Sequence, residues 1–285
     1  MKIYARAPVR IDFGGGTTDI FPFTENYEGV VLNAGINRYV HGSLIALPNE
    51  TKLEYHADIP TSSGLGTSGV MNVVWLALVN HFTDLKNKSR IAELAYDIER
   101  AMDVVGGKQD QYAAALGGIN FLKFKYKKPP KIEQIKLRPK ILKEFESRLF
   151  LYYTGPRLSS SVNAVVLNRI KKKEKRVIYT LNRIAKNARL MRDALKKEHL
   201  YDFANYLNHE WVLRKNLHPR ITTKKIEDTI KFAKKNGALA AKVCGAGGGG
   251  CILFYSDCKR KLMEKLKKNI IDFKFDTEGL KIWKK

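Results

Sequence analysis

Apolar and polar positions along the chain alternate between strand-like patches and longer helical ones. Residues 2–13 read as a strand that stops at Gly14-Gly15-Gly16, and residues 29–47, rich in Val, Ile and Leu, predict one or two more. Val70 to Val79 is apolar almost all round, the pattern of a buried helix, and with its leading loop it occupies 60–82. Ile91, Leu94, Ala95, Ile98 and Met102 fall on one face and predict a second helix over 89–104. An alanine-rich turn and an apolar strand near 119–124 follow. Lys125 to Pro139 is polar, carries three prolines and is expected to loop or to follow a sheet edge. Leu149–Tyr153 predicts a strand closed by Thr154-Gly155-Pro156, after which helices dominate to about residue 236. Leu239–Val243 and Ile252–Tyr255 predict two strands around the cluster Gly245-Ala246-Gly247-Gly248-Gly249-Gly250.

Composition narrows the class without fixing it. At 285 residues the chain can hold two domains, and a composition shift around 125–150 suggests a division into 1–150 and 151–285. Apolar runs are too short or too interrupted to span a bilayer, and the start of the chain lacks a signal-peptide pattern. Cys244, Cys251 and Cys258 fit neither a disulfide framework nor a zinc spacing, so a reducing cytoplasm is expected.

The net charge of +24 invites a nucleic-acid reading, which the distribution of charge weakens. Residues 1–122 hold 10 Lys/Arg and 13 Asp/Glu, whereas residues 123–285 hold 42 and 15. The excess is interleaved with Leu, Ile and Ala, as on solvated faces of amphipathic helices. Few glutamines and many lysines fit a heat-adapted surface better than an RNA-binding one.

Pro60-Thr61-Ser62-Ser63-Gly64-Leu65-Gly66-Thr67-Ser68-Gly69 is the stretch that most suggests chemistry. Glycines let the backbone approach a ligand, and the helix behind them offers unpaired N–H groups and partial positive charge. It is either a phosphate site or a turn that caps a core helix. No G-x-x-x-x-G-K-[ST] sequence is present, so it is not the common P-loop.

Further candidates lie around it in the sequence. Asp110, between glycines and glutamines, suits a base that orients or deprotonates a hydroxyl, or a turn aspartate. Glu99, flanked at helical spacing by Ala92, Ala95 and Met102, needs a counter-charge: Mg²⁺ with Ser68 as a second ligand, or a salt bridge. Arg10, in an otherwise apolar strand, is a buried ion pair or a group that polarises a reacting centre. Asp19 closes a glycine turn that suits either sugar hydroxyls or local turn bonds.

Combined and in order, these stretches resemble the GHMP small-molecule kinases. Ala7-Pro8-Val9-Arg10 with Gly15-Gly16-Thr17-Thr18-Asp19 is similar to that family's first motif, Pro60–Gly69 to its phosphate loop, and Lys242–Gly249 to its third, glycine-rich motif. Gly106-Gly107-Lys108-Gln109-Asp110-Gln111 and Thr154-Gly155 with Arg157 and Ser159 resemble the heptose 7-phosphate kinase branch. The resemblance implies an α+β, two-domain fold: a ribosomal S5 domain 2-like N-terminal domain and a ferredoxin-like α/β C-terminal domain. It implies ATP-dependent phosphorylation of the anomeric hydroxyl of a sugar or sugar phosphate, with galactokinase, fucokinase and mevalonate kinase types as alternatives. An RNA-binding protein on a kinase-like scaffold is the alternative of another class.

By position, Asp110 and Arg10 would be catalytic, and Ser68 and Glu99 would hold Mg²⁺. Pro60, Ser62, Ser63, Gly64, Leu65, Gly66, Thr67 and Ser68 would hold ATP. Gly16, Thr17, Thr18, Asp19, Gly245, Ala246, Gly247 and Gly248 would meet the sugar, with Lys108 and Arg157 at a phosphate it already carries. The implied partner is a small molecule, with no membrane, nucleic acid disfavoured and a homodimer left open.

Overall fold

The computed structural model describes residues 2–80, 88–104, 106–157 and 161–284. An antiparallel sheet of six strands forms around β1 (Lys2–Gly14) and the 18-residue β2 (Gly29–Ala46). β2 serves three neighbours: β1 along most of its length, β3 (Thr51–Ala57) at its end and β4 (Ile119–Phe124) at its start. β5 (Lys131–Ile135) lies beyond β4 at the edge, within the segment expected to loop or follow an edge. The opposite edge is β10 (Lys281–Lys284), which pairs with β1 from the other end of the chain.

The strand's pleat sorts β1 into two jobs. Phe13 packs among Phe145, Phe203 and Phe275 with ring centroids 5.1–6.2 Å away. Arg10 alternates to the other face, where α2 (Thr67–Val79) and α4 (Gln109–Leu116) meet the sheet. α2 is less enclosed than its sequence implies. Val70, Val73, Val74 and Leu78 are buried, while Met71, Trp75 and Val79 form an exposed stripe one turn apart.

α3 (Lys88–Ala101) follows the expected stripe except at Met102, which lies past the helix end and is exposed. Residues 81 and 82, assigned to the preceding helix, lie outside the described residues. The alanine-rich segment is helix α4 rather than a turn. Alanine has the highest helix propensity, and Ala113, Ala114 and Ala115 fill a tight layer against the sheet. Gly117, at φ +64°, ends that helix.

A second antiparallel sheet has the order β7 (Ala238–Val243), β8 (Cys251–Ser256), β6 (Leu149–Tyr153), β9 (Ile270–Ile271). Helices α5 (Pro139–Arg148), α6 (Ser161–Lys171), α7 (Lys175–Lys196), α8 (Leu200–Lys215), α9 (Lys224–Lys235) and α10 (Lys259–Leu266) accompany it. α7 also packs on β1 and β2 of the first sheet. Ala188, Met191, Phe203 and Leu253 therefore belong to the same buried cluster as Ile11 and Val31, so the core runs through both sheets.

Candidate active site

Three glycine-bearing turns converge where the two sheets meet. From β1, Arg10 Nε donates to Asp110 Oδ1 at 2.7 Å, and Arg10 Nη1 donates to the Gly64 carbonyl at 2.7 Å. Burial opposes charge on Arg10, but Asp110 and Asp12 outweigh it and hold the guanidinium above its ordinary pKa. The guanidinium therefore keeps its charge.

Asp110, in the first turn of α4, rests directly on the second glycine turn. A Cβ added at Gly66 would lie 2.9 Å from Asp110 Cγ, and one at Gly69 would lie 3.0 Å from Asp110 Cβ. Gly66 also sits at φ +80° and caps α2 with no side-chain bond, leaving first-turn N–H groups of that helix for a ligand. The third turn leans on the second: a Cβ at Gly245 would fall 2.8 Å from the Gly64 carbonyl.

A cavity of about 330 Å³ opens among these turns. Of the expected nucleotide residues, Ser62, Ser63, Gly64, Gly66, Thr67 and Ser68 line it. Pro60 does not, and Leu65 points into the core while its carbonyl accepts the Arg10 N–H. Of the expected sugar residues, Gly16, Thr17, Asp19, Gly245 and Ala246 line it, together with Arg157. Thr18 is buried and donates to the Gly15 and Val30 carbonyls. Gly247 packs under Ile221, and the Gly248 N–H donates to the Ile221 carbonyl. Lys108 pairs with Glu93 at 2.6 Å and lines a separate cavity behind Asp19. Ser159 lies outside the described residues.

Two acidic groups stand out electrostatically. Burial, with Asp110 nearby, pushes Asp19 up to about 7; the Gln109 N–H supports one oxygen at 3.3 Å, while Oδ1 has no partner among the described residues. Gly107 makes room for that carboxyl, since a Cβ there would fall 1.9 Å from Asp19 Oδ2. Burial and Asp110 likewise push Glu99 up to about 6. Ser68 Oγ and Asn72 Nδ2 each donate to Glu99 Oε1 at 3.3 Å, and Gln111 Nε2 donates to Oε2 at 2.6 Å. A raised carboxyl beside a hydroxyl and a second carboxylate fits a divalent cation, which would relieve both the desolvation and the repulsion. Two protein oxygens are too few for such an ion, so nucleotide phosphates and water would complete its shell.

Sequence reasoning missed residues that hold the turns together. Asp12 is buried with Lys242: Nζ donates to Oδ2 at 2.7 Å, while Oδ1 accepts the Gly245 N–H at 2.9 Å. Lys242, Arg10 and Arg214 hold Asp12 below the usual carboxylate range despite its burial. Arg214, on α8, clasps the first and third turns, and Asn163 joins the cavity lining. Nothing in one sequence separates Arg214 from 51 other Lys and Arg residues. Its one local sign is its position a helical turn after the equally buried Glu210.

A glycine loop at a helix N-terminus that closes on a paired arginine and aspartate is an arrangement suited to a small-molecule kinase. The chain belongs to the GHMP kinases: the family's N-terminal domain model matches residues 34–118 and its C-terminal model residues 191–268. It is 29% identical, over 99% of both chains, to a D-glycero-alpha-D-manno-heptose 7-phosphate kinase of Campylobacter jejuni. A crystal structure of a D-glycero-D-manno-heptose 1-phosphate kinase from Bacteroides thetaiotaomicron is similar at TM-score 0.77 and 26% identity, covering 99% of each chain. Lactococcus lactis galactokinase complexed with galactose shares the fold at TM-score 0.74 and 16% identity, over 100% of this chain and 95% of its own.

Proposed function

We propose that this kinase transfers the γ-phosphoryl group of ATP to the anomeric hydroxyl of D-glycero-D-manno-heptose 7-phosphate or a related sugar phosphate. The observation that carries the reading is the contact of Asp110 with Gly66 and Gly69. It sets a carboxylate directly beside the loop expected to hold nucleotide phosphates. Asp110 orients the acceptor hydroxyl and takes its proton as the new O–P bond forms and the bond to the nucleotide breaks. Arg10 fixes the direction of the Asp110 carboxyl. The α2 N-terminus and the Ser62–Ser68 backbone hold the phosphates. Ser68 and Glu99 would hold Mg²⁺, which when bound neutralises phosphate charge. Asp19 meets the sugar hydroxyls. We read 1–150 and 151–285 as the two domains, and the cytoplasm as the location, in keeping with three free thiols.

The test is a panel of sugars, sugar phosphates and mevalonate with ATP, followed by coupled ADP release and by NMR of the product. Heptose 7-phosphate should give the highest kcat/KM and a product phosphorylated at C1. A preference for mevalonate or galactose, or no turnover at all, refutes the assignment.

A further inference from the structure

One buried cation of the cavity, Arg214, has no part in the expected catalytic and nucleotide contacts. Arg214 lines it and is only 2% exposed. Its Nη1 donates to the Gly16 carbonyl at 3.0 Å and to Thr17 Oγ1 at 3.4 Å, and its Nη2 donates to the Gly245 carbonyl at 3.1 Å. No carboxylate among the described residues forms an ion pair with it. Glu210, one helical turn earlier, is engaged by the Gly15 N–H and by Asn187. Asp12 is engaged by Lys242 and Gly245.

A guanidinium carries five N–H donors, and those three contacts leave the Nε–H and one Nη2–H. Nε is buried with no acceptor among the described residues. The hydrogen bonds of Arg214 all go to neutral oxygens, and Asp12 and Glu210 act on it only through space, so an anion at the two remaining donors would supply the direct charge partner it lacks. Two donors on neighbouring nitrogens match the oxygens of a phosphate.

The other arginines of the cavity are tied to the catalytic pair or to the nucleotide loop. Arg10 already has Asp110. Arg157 forms no side-chain hydrogen bond with the described residues, but its backbone N–H donates to the Ser62 carbonyl at 3.3 Å, which ties it to the nucleotide loop. Arg214 instead grips the Gly16–Thr17 turn, where the sugar is expected. Resting on the proposed sugar kinase reading, we propose that Arg214 seats the phosphate the sugar already carries and thereby selects phosphorylated over free sugars.

A rival seat is the cavity of about 200 Å³ behind Asp19, whose cations are Arg100, Lys108, Lys125, Lys127 and Lys128. Arg100 and the lysines at 125, 127 and 128 are exposed and already solvated, and Lys108 is taken by Glu93, so it presents no buried cation with unmet donors as Arg214 does.

The test compares kcat/KM for heptose 7-phosphate and for free heptose in wild type, R214K, R214Q and K108Q. R214Q should lower the ratio of phosphorylated to free sugar at least tenfold, mainly through KM, with R214K intermediate. Equal losses on both sugars would make Arg214 only a clamp on the turns and overturn the proposal. A fall of the ratio in K108Q without one in R214Q would overturn it in favour of the rival cavity. If wild type turns over neither sugar, the kinase reading fails separately. The seat is then read by thermal shift with glucose 6-phosphate against glucose: wild type should be stabilised by the phosphate alone and R214Q should not, while equal shifts overturn the proposal.

Discussion

Arg10 and Asp110 sit 100 residues apart in sequence and 2.7 Å apart in space, with the other arm of the arginine anchored on Gly64 of the second glycine turn. One side chain thus fixes the proposed base and the proposed nucleotide loop relative to each other. Such an arrangement makes catalysis depend on a unit rather than on separate residues. Asp110→Asn should lower kcat by about 10²–10⁴-fold with ATP binding nearly intact. Arg10→Met should fall in the same range, and the double variant should be little worse than either single one. Multiplicative losses in steady-state assays would show that the two act independently.

Gly66 faces both a steric and a conformational constraint. Gly66→Ala places a methyl 2.9 Å from Asp110 Cγ on a backbone at φ +80°. The left-handed conformation alone costs about 1–2 kcal/mol. Calorimetry should show a melting temperature a few degrees lower, and kcat/KM should fall far more than that loss of stability explains. Wild-type turnover would contradict the close packing of loop and base.

Glu99 must be ionised to hold a cation, and its carboxyl is held near 6 in the ligand-free protein. Apparent Mg²⁺ affinity should therefore be flat above about pH 7 and weaken below about 6, approaching tenfold per unit. Glu99→Gln should raise the Mg²⁺ requirement and flatten that profile. Titration of activity with Mg²⁺ between pH 5 and 8 decides it; an unchanged profile in the variant would assign the cation elsewhere.

Asp19 makes the opposite demand on stability. Its carboxyl is raised from 3.8 to about 7 on folding, so between those values the folded protein binds the extra proton. Stability contributed by this group is therefore greatest at low pH and declines as pH climbs toward 7, by on the order of 4 kcal/mol. Asp19→Asn should raise the ligand-free melting temperature at pH 8 and confer no such gain at pH 4.5. Equal effects at both pH values would place the ionised carboxylate in a more favourable setting than its burial indicates.

Most of the architecture could be read from periodicity. The expected strand at Leu149–Tyr153 is found with the same limits, and β1 and β4 lie within a residue of expectation, because each is a short apolar run closed by glycine or a polar turn. The alanine-rich helix α4 was misread because alanine carries no periodic signal, and its brevity suits a turn. Thr51–Ala57 was overlooked because its strand is mostly exposed and its pattern mixed. Spacing also could not show that Lys108 and Arg157 face different cavities, since sequence gives order along the chain and not the side of a turn. Asp12, Lys242 and Arg214 were invisible as partners for the same reason: their pairing exists only once the two sheets are docked.

The Lys242–Asp12 pair also constrains how molecules enter and leave. Its lysine is wholly buried, and the same carboxylate fixes the Gly245 turn. Swinging the halves apart would strand both charges, a cost of about 3–5 kcal/mol when one partner is lost. The pair thus favours entry and release through the mouth of a standing cleft, with movement in side chains and rim. Hydrogen exchange along β7 should be equally slow with and without nucleotide; faster exchange in the empty enzyme would reveal a breathing hinge instead.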